Sequence, residues 1–348
     1  MQNHELFMQR CLQLAAIGEQ WVAPNPMVGA VIVQHGKIIG EGYHKYFGEA
    51  HAEVNAIQSV ENKTLLEGAT IYVSLEPCAH YGKTPPCTNL IIEHKIAKVV
   101  VACLDPNPLV AGKGVAQLKQ AGIEVTIGVL EKEAIELNKR FISFHSNKKP
   151  FIILKWAQTA DGFCGRYTNS TLSNKITNWY VDILVHQLRS KVAAILVGYN
   201  TALFDNPILT TRKWKGKDPL RIVIDVENNL PHQLNLFSDG IPTLVFTYIP
   251  MQDSDIVSYI KLNNKEHFID EILEGLYQKN IQSVLIEGGP KTLQKFIDHN
   301  AWNEAHIFTS KNTWLEGTKA PHLTNGVQVQ HKNLLNNIYT IFKSENNI

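Results

Sequence analysis

Neither sign of charge is in excess: 33 Lys and Arg stand against 32 Asp and Glu, a formal net charge of +1. That balance argues against nucleic-acid binding as the main business of the chain, while leaving room for small phosphorylated ligands. Cysteine is scarce and odd in number, with Cys11, Cys78, Cys87, Cys103 and Cys164 in 348 residues. Since no basic-then-apolar leader opens the sequence, the expectation is a reducing, cytoplasmic setting with thiols free or metal-bound, and no disulfide framework. No apolar run approaches the ~18 residues of a membrane span, so no membrane partner is expected. Internal repeats and low-complexity tracts are also missing. No G-x-G-x-x-G follows a predicted strand, which leaves a Rossmann nucleotide site unsignalled.

What is present suits a globular protein. Hydrophobic residues make up 44% and charged residues 19% of the chain, and its length exceeds one ordinary domain. Asn147-Lys148-Lys149-Pro150 reads as a linker and gives two domains, 1–146 and 147–348. In the first, a helix over 5–19, a hairpin of 28–33 with 37–43, a helix over 50–60 and a strand over 70–75 precede three more helices (the last over 131–144) and strands at 98–104 and 124–127. The second restarts with a strand at 151–156, a helix at 177–191 and strands at 193–197, 220–225, 243–247 and 283–286, and closes with antiparallel strands. Both halves predict α/β domains with mixed sheets, covered by helices in three layers.

The chemistry concentrates in His51-Ala52-Glu53, Pro77-Cys78 and Cys87. One imidazole and two thiolates make a three-ligand set for a tetrahedral zinc, one ion per chain, with a fourth position left open. A bound zinc brings the pKa of water down to roughly 7, and Glu53, outside the ligand set, can move that water's proton. Taken singly, a His-x-Glu pair is common on helix faces and a free cysteine is usually a small buried hydrophobe. A closed structural zinc site with His80 as fourth ligand is the stronger rival. Because His51 and Glu53 are two apart, a regular helix would not put them on one face, so His51 is expected at the helix start.

Together Pro24-Asn25-Pro26-Met27-Val28-Gly29-Ala30, His51-Ala52-Glu53-Val54 and Glu76-Pro77-Cys78-Ala79-His80-Tyr81-Gly82-Lys83-Thr84-Pro85-Pro86-Cys87 resemble the cytidine-deaminase superfamily, whose signature is H-x-E with a later P-C-x-x-C. Here eight residues separate the cysteines, which resembles the deaminase half of the bifunctional riboflavin-biosynthesis deaminase/reductases. In the second half, Gly198 to Arg212 and Glu287-Gly288-Gly289-Pro290-Lys291-Thr292 resemble the reductase half of the same family, with a dihydrofolate-reductase-like fold. The resemblance implies a phosphorylated pyrimidine as substrate, zinc and NADPH as cofactors, and a homo-oligomer, dimer or tetramer.

Residue by residue, the resemblance implies Glu53 as the catalytic group and Asn25, His44, His80 and Lys83 on the substrate side of the deaminase. For the reductase it implies that Gln158, Lys175, Thr201, Asp205, Val226, Gly289, Pro290, Lys291, Thr292, Leu293, Gln294 and Lys295 face the cofactor. Ser173, Arg189, Leu209, Arg212 and Glu287 would face the substrate, the two arginines pairing with its 5′-phosphate. Lys175 and Val226 depart from the family pattern, which often has an aromatic and a small polar residue there, and Arg166 to Thr171 looks slightly long. A nucleoside or tRNA deaminase with an unrelated appendage, and a zinc-stapled interaction protein, are the alternatives. The first conflicts with the cysteine spacing and charge, the second with the presence of Glu53.

Overall fold

The computed structural model describes residues 3–81, 85–107, 111–166 and 174–345. The chain forms two compact units, Met1–Lys148 and Lys149–Ile348.

In the first unit the elements are α1 (His4–Ile17), β1 (Gly29–Gln34), β2 (Lys37–Tyr43), α2 (Ala52–Ser59), β3 (Thr70–Val73), α3 (Cys87–Glu93), β4 (Lys98–Val101), α4 (Lys113–Gln120), β5 (Glu124–Ile127), α5 (Glu131–Leu137) and α6 (Lys139–Asn147). The strands form one sheet in the order β2-β1-β3-β4-β5, antiparallel across β1 and parallel from β3 to β5. Alternation along each strand assigns side chains to two faces. Ala30, Ile32, Ile71, Val73, Val99 and Val101 pack against Ala56 and Ile57 of α2, Ile91 of α3 and Leu118 of α4. Their neighbours Val31, Val33, Tyr72 and Val100 pack against Met8, Cys11 and Leu14 of α1, Ala134 of α5 and Phe141 of α6. A sheet buried on both faces explains why β3 is apolar without a polar phase.

The single helix expected over 131–144 is two helices. Asn138 interrupts it: nearly buried, its side chain accepts from the Met27 N–H (2.8 Å) and donates to the Met27 carbonyl (2.9 Å), holding the loop that leads into β1. The ladder bonds run on through it, since its N–H donates to the Ala134 carbonyl (3.1 Å) and its carbonyl accepts from the Ile142 N–H (2.9 Å), but its own backbone, at φ −100° and ψ 19°, is off the helical values and divides α5 from α6.

The second unit contains β6 (Phe151–Gln158), β7 (Phe163–Gly165), α7 (Trp179–Arg189), β8 (Ala194–Gly198), α8 (Tyr199–Asp205), β9 (Leu220–Ile224), α9 (Asn235–Ser238), β10 (Thr243–Thr247), β11 (Val257–Lys261), α10 (Phe268–Gln278), β12 (Ser283–Ile286), α11 (Pro290–Asp298), β13 (Glu304–Ser310), β14 (Thr318–Lys319), β15 (Gly326–Leu334) and β16 (Asn337–Ser344). Nine strands run in the order β11-β10-β9-β8-β12-β6-β13-β16-β15, parallel from β11 to β13 and closed by antiparallel β16 and β15. One face packs against Ile272 and Leu276 of α10 and Phe296 and Ile297 of α11, the other against Ala202 of α8, Leu230 and Leu236. Strand order reverses around β12, which lies between β8 and β6. A ligand crevice is expected there, outside the carboxyl ends of the strands. Among the described residues no helix is long and apolar enough to cross a membrane.

Candidate functional site

In the first unit the carboxyl end of β3 and the amino ends of α2 and α3 meet. His51 is the N-cap of α2, extended at φ −70° and ψ 166°, and so lies off the helical spiral that carries Glu53. Cys87 is the first residue of α3, and Cys78 follows the β3 end. The imidazole Nδ1 lies 3.3 Å from Cys87 Sγ and 3.6 Å from Cys78 Sγ. Tetrahedral bonds of about 2.1 Å to nitrogen and about 2.3 Å to sulfur would place such atoms about 3.6 Å apart, so the donor set fits zinc. These three side chains are the metal-capable cluster among the described residues.

The electrostatics of these groups suit a cation. A hydrogen bond from the Cys87 thiol holds Cys78 down at about 4 and, for the same reason, raises Cys87: two sulfurs share one proton. The Cys87 backbone N–H also donates to Cys78 Sγ (3.3 Å). Bonding to Cys78 raises His51 to about 8. Metal binding replaces these protons. Glu53 is 3% exposed, and burial, aided by the Cys78 thiolate, pushes its carboxyl up to about 7. A bound cation acts in the opposite direction.

Asn25 and His44 stand beside the ligands. His44 is buried, its ring 5.6 Å from that of His51. Burial lowers its pKa, so it is neutral; Nδ1 bonds to the Ala50 carbonyl and Nε2 to Asn25 Nδ2, both at 3.1 Å. With Nδ1 donating to the carbonyl, Nε2 accepts from the Asn25 amide. His80 is exposed, and Asp105 is a buried carboxyl that burial raises to about 6. Lys83 lies outside the described residues.

In the second unit the C-terminal ends of β6, β8 and β12 bring Gln158, Gly198 and Glu287 to one edge of the sheet. A Cβ on Gly198 would overlap the Thr292 hydroxyl, and Thr201 faces Gly289. The starts of α8 and α11 therefore approach each other closely, glycine against threonine, in an arrangement suited to the phosphates of a dinucleotide. Gly289, Pro290, Lys291 and Thr292 form its rim at the α11 N-terminus.

The side chains of Leu293, Gln294 and Lys295, next along α11, have protein partners of their own. Leu293 is in the core, Gln294 bonds to Asp298 and His322, and the Lys295 ammonium sits 4.8 Å from the Phe268 ring centroid. Lys175 lies 4.0 Å from Asp182, which also takes Lys213 at 2.7 Å. Val226, just past β9, packs on the core. Gln158 accepts from the Trp156 indole, and Asp205 is exposed at the α8 end. Ser173 and the loop expected to be long lie largely outside the described residues.

Arg189 is bonded to protein groups on two sides. Its Nε and Nη2 donate to the two oxygens of Glu287 (2.8 and 2.9 Å), and Nη1 donates to the Thr210 carbonyl (3.0 Å). The fork thus holds a carboxylate, and Arg212 is exposed. Lys155 completes the cluster 3.5 Å from Glu287. Burial opposes ionisation of Glu287, but Lys155 and Arg189 outweigh it and hold the carboxyl at about 2. Leu209, buried with φ +60°, carries backbone strain in this loop.

Sequence reasoning missed Lys155, His186, Glu76 and Asp105. A lone charge in the apolar strand Phe151–Trp156 was the available signal for Lys155. His186 is buried with Nδ1 unpartnered among the described residues, and burial with the nearby arginines drops it to about 4.

Comparison with known proteins accords with this geometry. The cytidine and deoxycytidylate deaminase zinc-binding region matches residues 1–103, and the RibD C-terminal domain matches 150–343. The chain is 41% identical over 319 residues to the riboflavin biosynthesis protein RibD of Aquifex aeolicus, covering 89% of this chain and 88% of that one. It is 39% identical to RibD of Bacillus amyloliquefaciens, covering 92% and 88%. The crystal structure of a diaminohydroxyphosphoribosylaminopyrimidine deaminase/5-amino-6-(5-phosphoribosylamino)uracil reductase from Thermotoga maritima superposes with a TM-score of 0.88 at 37% identity, covering 98% of each chain. RibD of Acinetobacter baumannii gives 0.89 at 31%, again covering 98% of each. The chain thus belongs to the bifunctional riboflavin-biosynthesis enzymes, pairing a zinc-dependent deaminase with an NADPH-dependent reductase.

Proposed function

We propose that residues 1–146 hydrolyse the 2-amino group of 2,5-diamino-6-(5-phosphoribosylamino)pyrimidin-4(3H)-one, and that residues 147–348 then reduce the ribosyl group of the product to ribityl. The observation that carries this reading is the convergence of His51, Cys78 and Cys87 on one point with buried Glu53 beside them. His51, Cys78 and Cys87 would hold zinc, which when bound lowers the pKa of water to about 7. Glu53 takes a proton from water and returns it to the departing nitrogen. Neutral His44 fixes the amide of Asn25, so Asn25 presents its carbonyl oxygen and one N–H to the substrate. His80 and Lys83 complete the substrate side.

For the reductase, NADPH supplies the hydride, and Thr201, Asp205 and Gly289 to Thr292 line its cradle. Lys155 and Arg189 fix Glu287 on the substrate side, Leu209 shapes that wall, and Arg212 takes the 5′-phosphate; Ser173, outside the described residues, is a further substrate group by resemblance alone. No residue here stands out as acid or base, and positioning carries the step. The same reading makes the protein a cytoplasmic homo-oligomer, dimer or tetramer, which light scattering tests. Incubating the full chain with the pyrimidine phosphate, with and without NADPH, tests the reactions. Product masses should show oxygen replacing an amino group in both cases, and two added hydrogens only with NADPH. A reduced product carrying its original amino group would reverse the proposed order.

A further inference from the structure

Glu76 stands two residues before Cys78 and is outside the ligand set, yet it is only 4% exposed. Backbone amides hold its carboxylate: Oε2 accepts from the N–H of Gly112 (2.9 Å) and Asp105 (3.3 Å), and Oε1 from that of Val115 (3.1 Å). The Gly112 and Val115 donors belong to the start of α4, whose N-cap, Gly112, has φ +75° and no side chain to offer. Glu76 thus supplies from another segment the acceptor that an N-cap residue normally provides, where the helix end also favours negative charge. Packing tightens the same joint, because a Cβ on Gly114 would run into the Pro77 carbonyl.

A second link joins α4 to the other thiolate. Thr88, next to Cys87, donates its backbone N–H to the Cys78 carbonyl (3.3 Å), while its hydroxyl lies 2.8 Å from Gln117 Oε1 and 3.2 Å from that carbonyl. The Gln117 amide then donates to Asn89 Oδ1 (2.7 Å). One helix therefore grips both ligand-bearing segments, through Glu76 before Cys78 and through Gln117 at the first turn of α3.

We propose that α4 is the positioning element of the thiolate pair, with Glu76 and Gln117 as positioning residues that set the aim of Cys78 and Cys87. The inference rests on reading His51, Cys78 and Cys87 as ligands. Its test uses the full chain, stripped of metal and titrated with zinc against a chromophoric chelator, and with cobalt(II) read by its visible absorption. Glu76→Gln sets an amide N–H₂ against backbone donors. It should weaken zinc binding about 10- to 100-fold, the range for partners behind the ligands, and alter the cobalt bands. Gln117→Ala should weaken it less, in the same direction, and decides the matter if Glu76→Gln does not fold. Unchanged affinity and an unchanged cobalt spectrum in the folded variants, with melting temperature lowered alike with and without metal, would overturn the proposal. Cys87→Ser separates the two readings: if that variant also keeps full affinity, the ligand assignment itself has failed.

Discussion

The two units state their chemistry in different languages. In the first, the groups are fixed by type: a tetrahedral zinc site accepts few side chains, and two of its ligands are only nine residues apart. In the second, glycines let two helix starts close on each other, and the charged cluster joins Lys155 and Arg189 to Glu287, 132 and 98 residues away. A metal dictates residue identity, whereas a hydride-transfer site that works by placement dictates shape. Shape can be met by many sequences, so only the first site is readable letter by letter.

That contrast can be broken most sharply by removing the metal. Chelation should abolish deamination and leave NADPH-dependent reduction of the deaminated pyrimidine intact; parallel loss of both activities would show that the units do not work separately. Nearly as large is Glu53→Gln, which keeps the ligands and should cut deamination by roughly 10²-fold or more, the usual scale for a positioned acid/base. Metal content measured on the same sample must stay at the wild-type level for the result to count.

On the reductase side the effects are smaller and depend on the substrate's charge. If Arg212 reads the phosphate, a charge-assisted contact of roughly 1.5–3 kcal/mol is at stake, about 10- to 150-fold in substrate use for Arg212→Ala. Arg212→Lys keeps the charge without the fork and should lose less. Both should lose less on a dephosphorylated substrate, and an equal loss on the two compounds would assign Arg212 a structural role. Gly198→Ala crowds Thr292 and should weaken NADPH binding with a stability loss of about 1–3 kcal/mol, measured by titration and melting.

The smallest expected effect is a pH limb. Glu287 ionises in the folded state at about 2 against an ordinary 4.5. A depressed carboxyl contributes stability above its unfolded pKa and loses it as pH falls through that value towards 2. Wild-type melting should therefore fall more steeply below pH 4.5 than that of Glu287→Gln. Identical slopes would mean that Lys155 and Arg189 do not hold the carboxylate ionised.

The placement of His51 shows how far local reasoning reaches. A spacing of two is wrong for one helical face, so the histidine belongs at the helix start, and it is the extended N-cap of α2. The same logic could not find the break at Asn138, whose side chain is bonded to Met27, 111 residues away. Nor could spacing show that Arg189 bonds to Glu287, that Leu293 turns to the core or that Lys295 lies over Phe268.

From its sequence alone this protein had two α/β domains, a zinc ligand set with a carboxylate two residues from its histidine, and the stretches that resemble a reductase, because periodicity, residue type and short spacing are local properties of a chain. The tertiary structure decided which charges neutralise one another, where the backbone is strained at Leu209, and that α4 reaches back to grip both cysteine segments. Those are choices among partners distant in sequence. A buried carboxylate such as Glu76 or Glu287 is compatible with many partners in principle, and burial forces it to take those that folding brings within hydrogen-bonding distance.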